Sequence, residues 1–348
     1  MDWNLSRRNF LKSGLATFGL LAFNPSQLLK GISTDVQQVR VATTSVSVYS
    51  EPNDKSQILY TRYRDDILNV YYEITSEYGP GYNPIWYRVW NGYIHRAHLQ
   101  KIKTVLNPVM HSITGKAQLV EVTIPFSQAM RYTKYTGWQP IYRLYYGTTH
   151  WVVGIDEGPD GEAWYRIRDE LLDMDYHATA THFRPIPPEE LTPIRPEIPA
   201  KEKRIDINLT KQELVALEYG KEVFKTKISS GVPDAGRTPA NGIPTRTPKG
   251  NFFIQSKMAS KHMGDGQLTD DLDAYVLPGV PWCCFIDTKI GVAIHGTYWH
   301  QNFGVPMSHG CINMWTDEAK WIFRWTTPAV EPDEIEKRAI GTTVIVTA

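Results

Sequence analysis

The sequence predicts a mainly β protein: two small β modules, then a larger C-terminal domain of short strands with one convincing helix. Two observations carry this. Apolar side chains alternate over short runs such as 67–72 and 150–155, each followed by a Gly/Pro turn, Gly79-Pro80-Gly81 and Gly158-Pro159-Asp160. The segment Trp86-Tyr87-Arg88-Val89 recurs as Trp164-Tyr165-Arg166-Ile167, and YIHRAHLQKI at 93–102 is echoed by YHATATHFRPI at 176–186.

Composition narrows the function classes. The 348 residues are 42% apolar, 21% charged and 12% aromatic, a globular rather than a disordered chain. Lys+Arg and Asp+Glu both number 37, so no basic excess draws the protein to nucleic acid. Three cysteines, Cys283, Cys284 and Cys311, exclude a disulfide framework. Cys283 and Cys284 are neighbours, too close to bridge one another, and read as packing residues on a strand leading to the site.

Along the chain, residues 1–30 read as an export signal. Ser6-Arg7-Arg8-Asn9-Phe10-Leu11-Lys12 matches the twin-arginine pattern and precedes a short apolar run at 14–23. An uncleaved signal would leave a membrane anchor, and the implied location is extracytoplasmic, at the wall or membrane. Residues 38–106 form the first β module. The stretches Ser45–Asn53 (SVSVYSEPN) and Gly92–Leu99 (GYIHRAHL) resemble a bacterial SH3-like domain. Residues 107–186 form a degenerate second copy, whose aromatics Tyr142, Tyr145, Tyr146, Trp151, Trp164 and Tyr165 read as packing rather than as a ligand platform. Residues 187–202, with Pro187, Pro188, Pro193, Pro196 and Pro199 among charges, predict a semi-rigid extended linker. The C-terminal domain, 203–348, shows strands at 204–209, 251–254, 292–294 and 343–346 and a hairpin over 213–218 and 222–228. A helix starts at Thr316, which can cap it, with Asp317 and Glu318 at its positive end.

The chemistry concentrates between 295 and 313. His295, His300 and His309 lie near Cys311, inside Ser308-His309-Gly310-Cys311-Ile312-Asn313. A thiol is mostly protonated at neutral pH, so a nucleophilic cysteine needs a nearby imidazole. His295 ends an apolar strand, and Gly310 permits close backbone approach, so amides around it can face an oxyanion. Asn313 can order that turn. By ligand type alone, His295, His300, His309 and Cys311 also suit zinc. His300 alone reads as a loop or rim residue, His262 as structural or at the cleft edge. Tyr298 and Trp299 read equally as cleft wall or core.

His295-Gly296-Thr297 followed by Ser308-His309-Gly310-Cys311-Ile312-Asn313 resembles the L,D-transpeptidase (YkuD-type) signature. The resemblance continues through Thr247-Pro248-Lys249-Gly250, Phe252-Phe253-Ile254, Ser260-Lys261-His262-Met263 and Val280-Pro281-Trp282. It implies a β-sandwich-like catalytic domain with one or two helices, no cofactor and no metal. Cys311 is then the nucleophile and His295 the general acid/base. The amides of His309, Gly310 and Cys311 supply the oxyanion site, which Ser308 and Asn313 shape, while Gly296, Thr297, Tyr298, Trp299 and His300 are substrate-cleft candidates. Many relatives carry Arg at the position of Asn313. The implied partners are peptidoglycan stem peptides, a donor tetrapeptide and an amine acceptor, joined as a 3→3 cross-link. Two other readings remain: a wall cysteine peptidase (L,D-carboxypeptidase) cutting the same bond, and a non-catalytic wall-binding protein. Papain-like wall peptidases place Cys before His, the reverse of the order here.

Overall fold

The structure, a computed structural model, describes residues 37–113, 115–233, 245–264 and 276–348. The export signal expected at 1–30 lies outside the described residues. Residues 37–348 form one compact unit, and among the described residues no helix is long and apolar enough to cross a membrane.

The first module contains β1 (Gln37–Val41), β2 (Ser45–Tyr49), β3 (Ile58–Tyr63), β4 (Ile67–Val70), β5 (Tyr72–Thr75), β6 (Ile85–Val89), β7 (Gly92–His95) and β8 (Leu99–Ile102). They make two sheets, β4-β1-β8 and β3-β2-β7-β6-β5. Val39, Val41, Val48, Leu68, Tyr87, Ile94 and Leu99 fill the space between them. The second module is a single seven-stranded sheet, β11-β10-β14-β13-β12-β9-β15. Its strands are β9 (Gln118–Val122), β10 (Phe126–Thr133), β11 (Gly137–Tyr145), β12 (Thr149–Glu157), β13 (Ala163–Asp169), β14 (Met174–Thr179) and β15 (Phe183–Pro185). The echoed sequences adopt the same succession in both modules. Each Trp-Tyr-Arg segment lies on a strand, β6 or β13. Each later segment runs strand, one 3₁₀ turn (Arg96–His98 or Ala180–His182), strand. Alternation explains the shared core residues, since Tyr87 and Tyr165 face inward while Arg88 and Arg166 do not.

The C-terminal domain stacks two five-stranded sheets. One is ordered β18-β17-β16-β25-β19, from β16 (Lys203–Asn208), β17 (Glu213–Glu218), β18 (Lys221–Lys227), β19 (Gly250–Phe253) and β25 (Thr343–Thr347). The other is β23-β22-β21-β20-β24, from β20 (Ser256–Gly264), β21 (Val276–Asp287), β22 (Val292–Gly296), β23 (Ile312–Met314) and β24 (Lys337–Arg338). Helix α1 (Thr316–Trp325) buries Ala319, Ile322, Phe323 and Trp325 against the core. Its N-cap is Trp315 and no side chain caps it, so Thr316 is the first helical residue and not the cap. Two buried amines hold its other end: Lys203 Nζ donates to Trp325 O at 2.9 Å and Lys257 Nζ to Thr326 O at 2.9 Å.

The expected extended linker is instead packed. Leu191 is buried in the core of the C-terminal domain, and the Ile194 N–H donates to Arg324 O at 3.0 Å. Glu190 pairs with both Arg184 and Lys320, and Arg195 pairs with Glu218. The charges that suggested solvation are the ones that fasten the segment to α1 and β17. The second module also shares its core with the C-terminal domain: Leu119, Trp151 and Ile186 lie in one cluster with Ile205, Trp282 and Ile294. Across the same junction Thr149 Oγ1 donates to Ala259 O at 2.7 Å, and Ser260 Oγ to Thr149 O at 2.5 Å.

Burial holds His150 near pKa 3, His295 near 4 and His300 near 3, so all three are neutral in the folded protein. An unfolded histidine titrates near 6.5, so below that pH the unfolded chain binds the extra protons and stability falls until the folded values are reached. Urea unfolding should therefore show stability dropping from pH 7 to pH 5 by on the order of 1–2 kcal/mol per histidine. An unchanged or increased midpoint at pH 5 would show that these rings are not held neutral.

Candidate active site

Parallel pairing of β22 with β23 builds the site. His295 stands opposite Asn313, with Ile294 opposite Ile312. Ile294 and Ile312 point into the main core, whereas Ala293 and Cys311 pack on the opposite face with Met258, Cys283 and Tyr298. Side chains two apart on a strand share a face, which puts His295 and Cys311 on the same side of the sheet as diagonal neighbours. His295 is buried, and its Nδ1 lies 2.9 Å from Gly296 O. A carbonyl only accepts, so Nδ1 carries the hydrogen and Nε2 keeps the lone pair of a base. Cys311 is partly buried and donates from Sγ to Gly291 O at 3.5 Å. Burial raises its thiol to about 11 and lowers His295 to about 4, so the resting pair is thiol and neutral imidazole, not an ion pair.

Parallel neighbours require a long crossover, here residues 297–311. It contains no helix or strand, so its backbone groups need partners elsewhere. Thr297 N–H donates to Met314 O (3.0 Å), Gln301 N–H to Ala97 O (2.7 Å), Gly304 N–H to Ile228 O (2.8 Å) and Met307 N–H to Ser230 O (2.9 Å). In return, Ser229 Oγ donates to Asn302 O (2.9 Å) and Val232 N–H to Ser308 O (2.9 Å). Thr247, fully buried, accepts from Gly231 N–H and donates to Gly310 O, both at 2.8 Å. A side chain on Gly231 would collide with Thr245 O and with Gly310 Cα, so glycine is needed where this segment crosses the loop that carries Cys311. Gly310 itself has φ 111°, a region open mainly to glycine.

The residues named from the sequence take distinct places. Ser308 Oγ donates to Cys311 O at 2.6 Å and accepts the Gly310 N–H at 3.2 Å. The Gly310 amide is therefore already engaged, which corrects its expected place among the oxyanion donors. The His309 side chain is exposed. Gly296, Thr297 and Tyr298 are buried and Trp299 partly buried, its ring 5.8 Å from His295 and 4.9 Å from Tyr298. His300 is not a rim residue. It is 2% exposed, its Nδ1 accepts the Asn302 N–H at 3.2 Å, and its Nε2 lies 2.9 Å from the Asn313 side-chain amide. Because Nδ1 accepts, Nε2 carries the hydrogen, and the Asn313 amide, placed with Nδ2 toward the ring, must turn over for its oxygen to accept that hydrogen. With His300 so committed and His309 exposed, the four suggested zinc donors do not converge, and no group of three or more His, Cys, Asp or Glu among the described residues is placed to hold a metal. His262 is buried between modules, its Nδ1 2.8 Å from Asp169 Oδ2, a structural place and not the cleft edge.

Sequence reasoning missed Ser229–Val232, Gln301 and Asn302, which carry no reactive group and reach the site only through the fold. Thr247 was visible as part of a quoted motif but without a role. Thr247→Val should strand the Gly231 N–H and the Gly310 C=O, costing about 1–3 kcal/mol in urea unfolding. Loss below about 0.5 kcal/mol would mean that the loop is held by its other contacts.

Residues 202–346 match the family model of the L,D-transpeptidase catalytic domain, YkuD. No curated protein matches the chain. Among solved structures, an L,D-transpeptidase from Xylanimonas cellulosilytica is 22% identical over 43% of this chain and 62% of its own, with TM-score 0.30. The catalytic domain of the E. faecium L,D-transpeptidase is 25% identical over 42% and 98%, with TM-score 0.30. One from Mycobacterium smegmatis is 16% identical over 73% and 92%, with TM-score 0.33. The chain spans less than two thirds of the first of these. With the family match lying over the two stacked sheets that carry His295 and Cys311, residues 202–346 are an L,D-transpeptidase catalytic domain of the YkuD family.

Proposed function

We propose that the protein is an L,D-transpeptidase acting on peptidoglycan stem peptides through a Cys311 thioester. The observation that carries this is the parallel pairing of β22 with β23, whose register sets His295 and Cys311, the residue just before β23, on one face, with the His295 Nδ1–H committed to Gly296 O. The neutral Nε2 takes the thiol proton as Sγ attacks the carbonyl of the third, L-configured residue of a tetrapeptide stem. The amide of Cys311 faces the developing oxyanion, while the Gly310 amide is engaged by Ser308 Oγ. The tetrahedral intermediate collapses with cleavage of the C–N bond, and the His295 imidazolium protonates the departing D-alanine amine. An acceptor amine then attacks the thioester, gives its proton to His295 and releases the thiol, leaving a 3→3 cross-link. Water in place of the amine makes the same enzyme an L,D-carboxypeptidase.

A thiol near 11 is a poor nucleophile until its proton is removed, so this mechanism depends on transfer during attack and not on a standing thiolate. The twin-arginine pattern at 6–12 agrees with an extracytoplasmic substrate, and the first module is read as SH3-like on its 45–53 and 92–99 stretches.

The E. faecium catalytic domain is described as acylated by ertapenem, which makes a carbapenem the first probe. Residues 30–348 incubated with it should gain one stoichiometric adduct by intact mass, mapping to Cys311 and absent from Cys311→Ala. A folded protein with no adduct would sink the transpeptidase reading and advance the wall-binding one. With tetrapeptides, cross-linked product supports transfer, while released peptide alone supports the carboxypeptidase.

The pH dependence follows from the two buried groups. Protonation of His295 removes the base as pH falls through about 4, and Cys311 ionises only near 11. Acylation measured by rapid pH jump, ahead of acid unfolding, should be level from about pH 6 to 9. Half-loss near pH 6.5 would mean that the imidazole titrates as if exposed.

A further inference from the structure

The crossover between His295 and Cys311 is held from outside the catalytic domain. Asn83, on the β5–β6 loop of the first module, is completely buried. Its Nδ2 donates to Gln301 O at 3.1 Å and to Asn302 Oδ1 at 3.0 Å, while its Oδ1 accepts from Arg96 Nε at 2.5 Å. Nearby, Ala97 O accepts the Gln301 N–H, and Tyr87 OH donates to Gln301 Oε1 at 3.0 Å. Asn302 is the residue whose N–H fixes the His300 ring, and that ring fixes the Asn313 amide beside His295 on the neighbouring strand.

We infer that the first β module completes the active site, with Asn83 as a positioning residue that acts through Asn302, His300 and Asn313 on the Cys311 turn. Three links are hydrogen bonds between buried groups, Asn83 to Asn302, Asn302 to His300 and His300 to Asn313, and the last step runs through the backbone from Asn313 to Cys311 two residues before it. Asn302 Oδ1 can only accept, so Asn83 presents its NH₂ there; the Asn302 N–H can only donate, so His300 holds its hydrogen on Nε2; the Asn313 amide, placed with Nδ2 toward that ring, must then turn over to offer its oxygen. Losing the first contact frees the Asn302 peptide to rotate and lets the ring exchange tautomers. The other end of the crossover is braced by the second module: Tyr145, with the buried Arg40 guanidinium 3.9 Å over its ring, packs 5.7 Å from Tyr298, which packs 4.9 Å from Trp299, itself 5.8 Å from His295. Both N-terminal modules therefore grip the stretch between base and nucleophile.

The inference rests on the proposed acylation of Cys311, and the test separates the two. In the full chain, Asn83→Ala should lower the maximal rate of carbapenem acylation at least about 10-fold, with the half-saturating concentration changed less than about twofold, because geometry and not ligand contact is lost. Asn302→Ala, which keeps its own N–H but leaves Asn83 only Gln301 O to hold, should fall in the same direction. Tyr87→Phe breaks a hydrogen bond at the same interface off this route and should stay within about twofold. Independently of activity, nitrogen-15 spectra of labelled histidine should show His300 as the Nε2–H tautomer in the wild type and in Tyr87→Phe, and a tautomer mixture in Asn83→Ala. A single Nε2–H tautomer in folded Asn83→Ala, or an equal rate loss in Tyr87→Phe, would overturn the inference. A wild type that takes no adduct would fail the transpeptidase reading while the tautomer measurement still decides this one.

Discussion

The parallel register of β22 on β23 is the constraint from which the rest of the site follows. It sets His295 and Cys311 on one face without either residue having to reach for the other. It also forces a long connection between them, and this one has no regular secondary structure to satisfy its own peptide groups. Those groups are satisfied by Ser229–Val232, by Thr247 and by the first module. A site that looks like a short sequence motif is, in its hydrogen bonds, assembled from four separated stretches of chain.

That dependence explains why the modules are not beads on a string. Trp151 and Leu119 of the second module lie in the same apolar cluster as Trp282 and Ile294, and Leu191 of the proline-rich stretch closes the cluster near α1. Removing either module would expose apolar surface and leave buried carbonyls such as Gln301 O without donors, both costly. A protein whose active loop is built across modules gains a rigid site from elements that make no contact with the chemistry.

Much of this was legible in the residues. Alternation located most strands of the catalytic domain, and the apolar face of Ala319, Ile322 and Phe323 located α1, because local periodicity reports which face is buried. The pair His295 and Cys311 was legible from spacing and resemblance. Strand β20 was not, and β21 was read only at Cys283 and Cys284, since both strands are buried along nearly their whole length and show no alternation. The proline-rich stretch misled because composition reports solvation, whereas Glu190, Arg184 and Lys320 are paired with one another. His300 misled for the opposite reason: a lone histidine in a loop gives no sign that Asn302 and Asn313 will close around it.

The pairing of His300 with Asn313 also gives physical meaning to the departure at position 313. Asn313 is completely buried, and its side chain meets a ring that burial keeps neutral near pKa 3. A guanidinium in the same place has five donors and no acceptor. It would face the His300 Nε2–H donor to donor, with no carboxylate among the partners described for either side chain. The charge would stand buried and unpaired, a cost of several kcal/mol. The neutral amide and the neutral imidazole therefore belong together: whichever of the two changes, the other loses its partner. In this chain the turn after Cys311 is followed by a dipole instead of a charge, and under the proposed mechanism the anion formed on the substrate is left to backbone amides and not to a side chain at 313.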